Sequence, residues 1–454
     1  VNDNSSAKKH EEWDSLGQIQ LFGALEEKFN ISFDLAQIAT IDNVGDIINM
    51  IEENIGTNHS REKNKNTEIV NSFTTGTSYL KPKKVIMERD GMKILSEIKE
   101  NKILIVTGSG EYSKDIQHSI KSIINDSSKD ICFLSKAERE PVLTNMIEII
   151  EKTQCFSPEI IIAIGGGAVI DTAKVCWIAL EYPDKPLTEW KKFFSLPKLR
   201  NKAKMIILPT TFGSGSEASS AVTFLENSNA SKSIILSHEL LPDLAILDEA
   251  IVESLPDTAA INSVMDALTH CIEGFVSRID HDEAIKDSVE ACKIIFTYLP
   301  EWLKGRKKDV GQKLLYASHL GGIVQNNCSV GLTHAIAHQL GRFEIPHGYA
   351  NAFYLLPVME FNQKRKPELY RHLSKILVPK QSLYEALNIW YKDNKLDKYL
   401  KDNNINHQII FSELDLIAEG ALKDPCYKAN PVTASKEDIK DIIIRGMQLY
   451  EPNY

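Results

Sequence analysis

The chain has 454 residues, 43% hydrophobic and 25% charged, with a net charge of -10. That is globular composition, long enough for two or three domains with sizeable cores, and its negative balance argues against nonspecific nucleic-acid binding. No apolar run reaches the roughly 18 residues that cross a membrane and the start carries no signal-peptide pattern, so a cytoplasmic protein is expected.

Residues 1–55 read as a small helical module. Leu16, Ile19, Phe22, Leu25 and Phe29 recur at helical spacing, and Val44, Ile47, Ile48 and Ile51 do so again. The visible core is small for independent stability, so either the module packs on the main body or a helix is missing before Val1. Residues 56–67 hold no large apolar side chain and read as a surface linker; their basic stretch, Arg61 to Lys65, is diluted by Glu62 and Asn64 and reads as solvated.

Residues 68–250 alternate strands with helices. The apolar run 102–107 ends in Gly108-Ser109-Gly110, and the run 159–164 ends in Gly165-Gly166-Gly167 before the helical 169–174. Continuous Ile and Val runs predict parallel strands covered on both faces, hence a doubly wound, Rossmann-like α/β domain. The triple glycine lets backbone N–H groups approach a pyrophosphate at a helix N-terminus, although neither turn spells GxGxxG and a tight turn alone would use glycine. A third strand, 205–208, runs into Pro209-Thr210-Thr211-Phe212-Gly213-Ser214-Gly215-Ser216-Glu217, whose hydroxyls suit a ribose, phosphate or nicotinamide amide.

Residues 251–454 are predominantly amphipathic helices, as in 282–299 and 311–325, and carry the metal-ligating candidates. Asp266 and His270 are one helical turn apart, His334 and His338 repeat the spacing, and Pro346-His347-Gly348 adds another imidazole. Three neutral nitrogens with one carboxylate suit Fe(II) or Zn(II) better than Mg(II) or Ca(II), and leave room for a substrate oxygen. Each residue alone reads as a hydrogen-bonded core histidine or a helix-capping aspartate; together they point to a catalytic ion in a cleft between the two large domains. The seven cysteines, Cys132, Cys155, Cys176, Cys271, Cys292, Cys328 and Cys426, are scattered without a CxxC pair and read as mainly buried thiols of a reducing compartment.

Two family resemblances add to this. The phrase Glu12-Trp13-Asp14-Ser15-Leu16-Gly17 resembles the acyl carrier protein family, in which the serine of an Asp-Ser-Leu triplet carries phosphopantetheine. The resemblance makes Ser15 the candidate attachment site; Ser15 to Gln18 is equally a capping box that needs no modification. The first helix of that family is absent, and Gln18 and Gln20 stand where acidic residues are usual.

Across residues 75–454, five ordered motifs resemble the iron-containing (group III) alcohol dehydrogenases. They are the Gly165 to Lys174 and Pro209 to Glu217 segments, Leu241-Pro242-Asp243 through Asp248, Met265 through Glu273, and His334 through Asn351. The resemblance implies a dehydroquinate-synthase-like architecture, ligation by Asp266, His270, His334 and His347 with His338 close by, and cofactor contacts from Gly165, Gly166, Gly167, Asp171, Thr210, Thr211 and Lys232. Ala168, Phe212, Ser214 and Gln339 depart from the pattern without touching the ligands. The implied chemistry is hydride transfer between a nicotinamide and a small alcohol or aldehyde, with proton delivery through water or His338.

Gly108 and Ser109 stand at a strand end where NAD-preferring members often carry an Asp, so NADP(H) is expected over NAD(H). Two substrate readings stay open. In one, a carrier-bound acyl or aldehyde group tethered to Ser15 reaches the active site through the linker. In the other, a free aldehyde such as phosphonoacetaldehyde or a short hydroxyaldehyde is reduced, and residues 1–55 dock a pathway enzyme. A Zn/NAD lyase of the dehydroquinate-synthase type is the alternative from another reaction class. The resemblance also implies a homodimer.

Overall fold

The computed structural model describes residues 79–450 apart from 110, 138–140, 192–193, 228–231, 306 and 402–406. The expected helical module, the linker and Ser15 lie outside the described residues.

The first half is built on a six-stranded parallel sheet in the order β1-β8-β5-β4-β2-β3. Its strands are β1 (Val85–Met87), β2 (Lys102–Gly108), β3 (Asp130–Ala137), β4 (Ile160–Gly165), β5 (Lys204–Pro209) and β8 (Leu244–Leu247); β6 (Ala221–Leu225) and β7 (Lys232–Leu236) form a separate antiparallel hairpin. The isoleucine runs explain the sheet. Leu104, Val106, Ile161, Ala163, Met205 and Ile207 enter the core on one face, while Ile103, Ile105, Ile160, Ile162, Ile206 and Leu208 enter the core on the other. Side chains of a strand alternate faces, so only a sheet covered on both sides accommodates unbroken apolar sequence. Helices α1 (Glu111–Ile123), α2 (Leu143–Phe156) and α3 (Gly167–Glu181) make the crossovers. From β2 the chain moves outward to β3, crosses back to β4, and continues the other way to β5. The order therefore reverses between β2 and β4, and a doubly wound sheet binds its ligand outside the carboxyl ends of strands at such a point.

Helices alone follow from Glu249. They are α4 (Glu249–Val252), α5 (Asp257–Phe275), α6 (Asp282–Leu303), α7 (Val310–Cys328), α8 (Leu332–Leu340), α9 (His347–Arg365), α10 (Pro367–Leu377), α11 (Leu383–Asp393), α12 (Leu396–Lys401), α13 (His407–Ser412), α14 (Leu414–Lys423) and α15 (Lys436–Tyr450). The predicted 282–299 and 311–325 are the cores of α6 and α7, each a little longer than its apolar periodicity suggests. No helix among the described residues is long and apolar enough to cross a membrane.

The two halves meet at the 209–221 loop. Phe212 is fully buried and packs edge-on against Trp302, with ring centroids 4.9 Å apart. Gly215, at φ +57°, lies against Gly322 so closely that a Cβ would come within 2.3 Å of the Gly322 Cα. Only glycine meets both the left-handed backbone and the approach.

Candidate metal and cofactor site

Helix α5 presents Asp266 and His270 from a segment buried on nearly every side. The short α8 brings His334, and α9 begins at His347. The Asp266 Oδ1 atom is the common point: His270 Nε2 lies 3.7 Å away, His334 Nε2 3.4 Å and His347 Nε2 3.4 Å. Donor atoms bound tetrahedrally at about 2.1 Å stand roughly 3.4 Å apart along each edge, which the distances to Asp266 match, and Asp266, His334 and His347 each offer a ligand atom within 4.8 Å of the others, a group suited to a divalent ion of the zinc or iron(II) kind. The ring of His270 stacks on that of His334 at 4.7 Å.

Buried acceptors without an ion depend on protons. Burial pushes Asp266 up, but the neighbouring imidazoles of His270, His347 and His334 hold it well below the usual carboxylate range. Burial takes His270 the other way, down to about 4, against the pull of Asp266. At neutral pH His270 is therefore neutral. Burial lowers His334 too, yet hydrogen bonds to Asp266 and Glu273 raise it to about 9. A cation held between two buried carboxylates occupies a place where a divalent ion would displace the proton.

Glu273 has no role in the sequence reading, although it lies two helical turns beyond Asp266 on α5. Its Oε2 pairs with His334 Nδ1 at 2.7 Å and accepts from the Gly331 N–H at 2.8 Å; Oε1 accepts from the Thr333 N–H at 2.6 Å. It thus caps the start of α8 and pairs with His334 Nδ1, which leaves Nε2 as the nitrogen directed at Asp266 Oδ1. His338 stands beside the set. Its Nδ1 pairs with Asp424 Oδ2 at 2.8 Å, and its ring stacks on His347 at 5.3 Å. Asp424 was not legible as a partner of His338, from which it is 86 positions distant.

Of the proposed cofactor residues, Gly108 and Ser109, Gly165 to Gly167, and Thr210 and Thr211 stand at the carboxyl ends of β2, β4 and β5, whereas Asp171 lies within α3 and Lys232 on β7. The triple-glycine turn faces the hydroxyl-rich loop: Thr210 N–H donates to Gly165 O at 3.0 Å, and the Gly166 and Gly167 α-carbons face Thr211 and Ser214. A Cβ on Gly165 would strike Val169 at 2.4 Å, so this glycine already has a packing reason to be there. Gly108 is partly buried at the end of β2 and Ser109 is exposed beside it. Asp171 accepts from the N–H and hydroxyl of Thr223, at 3.2 and 2.7 Å, which ties α3 to the hairpin. Lys232 opens β7, opposite Leu225.

Lys174, fully buried one turn beyond Asp171, holds the loop. Its ammonium donates to the carbonyls of Ser216, Ser219 and Ala221 at 2.9, 2.7 and 3.0 Å, one for each of its three protons. Burial pushes this lysine down to about 8 against Asp171 and Glu217, so it stays charged at neutral pH.

Comparison with known proteins finds relatives along most of the chain. Residues 82–249 match the family described as iron-containing alcohol dehydrogenase, and residues 260–447 match the C-terminal part of the Fe-containing alcohol dehydrogenase family. An NADPH-dependent butanol dehydrogenase of Clostridium saccharobutylicum is 29% identical over 371 residues, covering 80% of this chain and 95% of that protein. The bifunctional aldehyde-alcohol dehydrogenase AdhE of Escherichia coli is 26% identical over 87% of this chain, which spans about half, 49%, of its length. The structure of an iron-containing alcohol dehydrogenase from Thermococcus thioreducens superposes with a TM-score of 0.74 at 26% identity, covering 82% of this chain and all of the other.

Proposed function

This chain belongs to the iron-containing alcohol dehydrogenase family and is an NAD(P)-dependent oxidoreductase of alcohols, and from that premise we propose that Asp266, His270, His334 and His347 hold its catalytic ion, iron(II) in preference to zinc(II). The observation that carries the assignment is the convergence of three imidazole nitrogens within 3.7 Å of one buried carboxylate oxygen. The family match sets aside the lyase alternative.

A divalent ion there supplies Lewis acidity toward a substrate oxygen, and a nicotinamide supplies or accepts the hydride. The chain's residues do the rest. Glu273 keeps His334 in one tautomer, and Asp424 holds His338 by Nδ1, leaving Nε2 to exchange a proton with the product oxygen. The Gly165 to Gly167 turn offers backbone N–H groups at the start of α3 to a pyrophosphate, with Thr210 and Thr211 across from it and Lys174 fixing the loop.

The proposal favours NADP(H), since Gly108 and Ser109 offer no carboxylate against a 2′-phosphate. The expected result is a kcat/KM with NADPH and a short-chain aldehyde at least ~10-fold above that with NADH, corresponding to about 1.4 kcal/mol of discrimination. Turnover with NADH and none with NADPH would sink the preference.

The substrate proposal includes a carrier-tethered aldehyde on Ser15, supported by the Asp14-Ser15-Leu16 phrase. Intact mass after incubation with a broad phosphopantetheinyl transferase and coenzyme A should show one adduct, absent from Ser15→Ala. An unmodified mass leaves residues 1–55 as a docking element and the substrate as a free aldehyde.

A further inference from the structure

One polar side chain at the candidate metal site is used neither as a ligand nor in proton transfer. Asn351 lies one turn after His347 on α9 and is fully buried. Its Nδ2 donates to Asp266 Oδ1 at 2.7 Å and stands 3.2 Å from His334 Nε2 and 3.3 Å from His347 Nε2. Asp266, His334 and His347 each offer a ligand atom within 4.8 Å of the others. A single nitrogen near all three corners covers the triangle they define. Its own Oδ1 is buried without a hydrogen-bond partner. A buried amide with an orphaned oxygen is destabilising by itself, a cost that an apolar residue of the same shape would avoid.

We propose that Asn351 is a positioning residue for the ion, aiming the liganding oxygen of Asp266 and closing one face of the coordination sphere against water. The inference rests on the ligand set proposed above. The two parts follow from separate features of the amide. Aiming comes from the N–H: a carboxylate oxygen has more than one lone pair, and the 2.7 Å bond engages one of them so that another is turned toward the imidazoles. Closure comes from bulk, because an amide within 3.3 Å of three donor atoms leaves no room for a water over the same triangle. A site closed on that side keeps its coordination number low and leaves the substrate oxygen a different approach.

Two variants separate these parts. Asn351→Leu preserves the bulk and removes the donor, whereas Asn351→Ala removes both. Each is prepared metal-free and titrated with Zn(II) against a chromophoric chelator, and each is loaded with Co(II) for its visible spectrum, with far-UV circular dichroism and Tm confirming the fold. Both variants should bind Zn(II) about 10–100-fold more weakly, the usual range for loss of an orienting partner. Only Asn351→Ala should lose the intense visible bands of low-coordinate Co(II), as a water enters the opened face. Unchanged Zn(II) affinity in both variants, or an unchanged Co(II) spectrum in Asn351→Ala, would overturn the corresponding part. A Tm loss without a change in affinity would reduce Asn351 to a packing role and overturn the whole. If Asn351→Ala does not fold, Asn351→Leu and the milder Asn351→Ser carry the same two readouts. Failure of the folded wild-type chain to bind Zn(II) or Co(II) at all would instead overturn the ligand assignment.

Discussion

Asp266→Ala should purify without its ion and lose on the order of 10³-fold or more in kcat/KM, since Lewis-acid stabilisation supplies several kcal/mol and each 1.36 kcal/mol is tenfold in rate. The expectation comes from the geometry: Asp266 Oδ1 lies within 3.7 Å of all three imidazole nitrogens, and Asn351 is anchored on it too. Without it no carboxylate remains among the proposed ligands, and His334 loses one of the two carboxylates that raise it to about 9. The measurement is ion content per chain together with kcat/KM for aldehyde reduction. Asp266→Asn is the companion variant, because it preserves volume while replacing the carboxylate by a poorer ligand; it should retain the fold and still lose the ion. A variant that kept stoichiometric zinc and wild-type turnover would remove Asp266 from the site.

Part of this site is legible in the sequence. Asp266 and His270 at four-residue spacing point to one ion, and α5 places them on one face as expected. The same spacing in His334 and His338 has a different outcome: only His334 reaches Asp266, while the His338 ring turns to Asp424. Spacing on a helix fixes which residues share a face but not what the opposite element offers. That is why Glu273, Asp424 and Asn351 carried no roles in the sequence. Their partners come from other helices, 61, 86 and 85 positions away respectively, and no local pattern announces a hydrogen bond of that range. In the sheet, β2, β4 and β5 announce themselves because burial on both faces demands unbroken Ile and Val. The edge strand β1 does not. Its three residues, Val-Ile-Met, alternate exposed and partly buried, which is too short a pattern for periodicity to single out.

Gly348→Ala should damage the same site without touching a ligand. A Cβ at Gly348 would lie 1.9 Å from the carbonyl oxygen of Asn262, 2.6 Å from its carbon and 3.2 Å from its Cα. All three are backbone atoms within α5, so no side chain can swing away to make room. The start of α9 must retreat from α5 by on the order of 1 Å to restore a normal contact, and a displacement of that size costs about 10²-fold in rate when it misplaces reacting groups. His347 immediately precedes Gly348 and Asn351 lies one turn after it, so one movement withdraws a ligand and the group that aims Asp266. The expected result is a folded chain with weakened Zn(II) binding and kcat/KM reduced by about that factor. Gly305→Ala is the matched control: its Cβ would meet nothing within 4 Å, although its φ of +81° makes any side chain strained. It should lower Tm slightly and leave Zn(II) affinity unchanged. Wild-type Zn(II) affinity in Gly348→Ala would mean that α9 can tilt about its far end without moving His347, and the close approach to Asn262 would then serve packing alone.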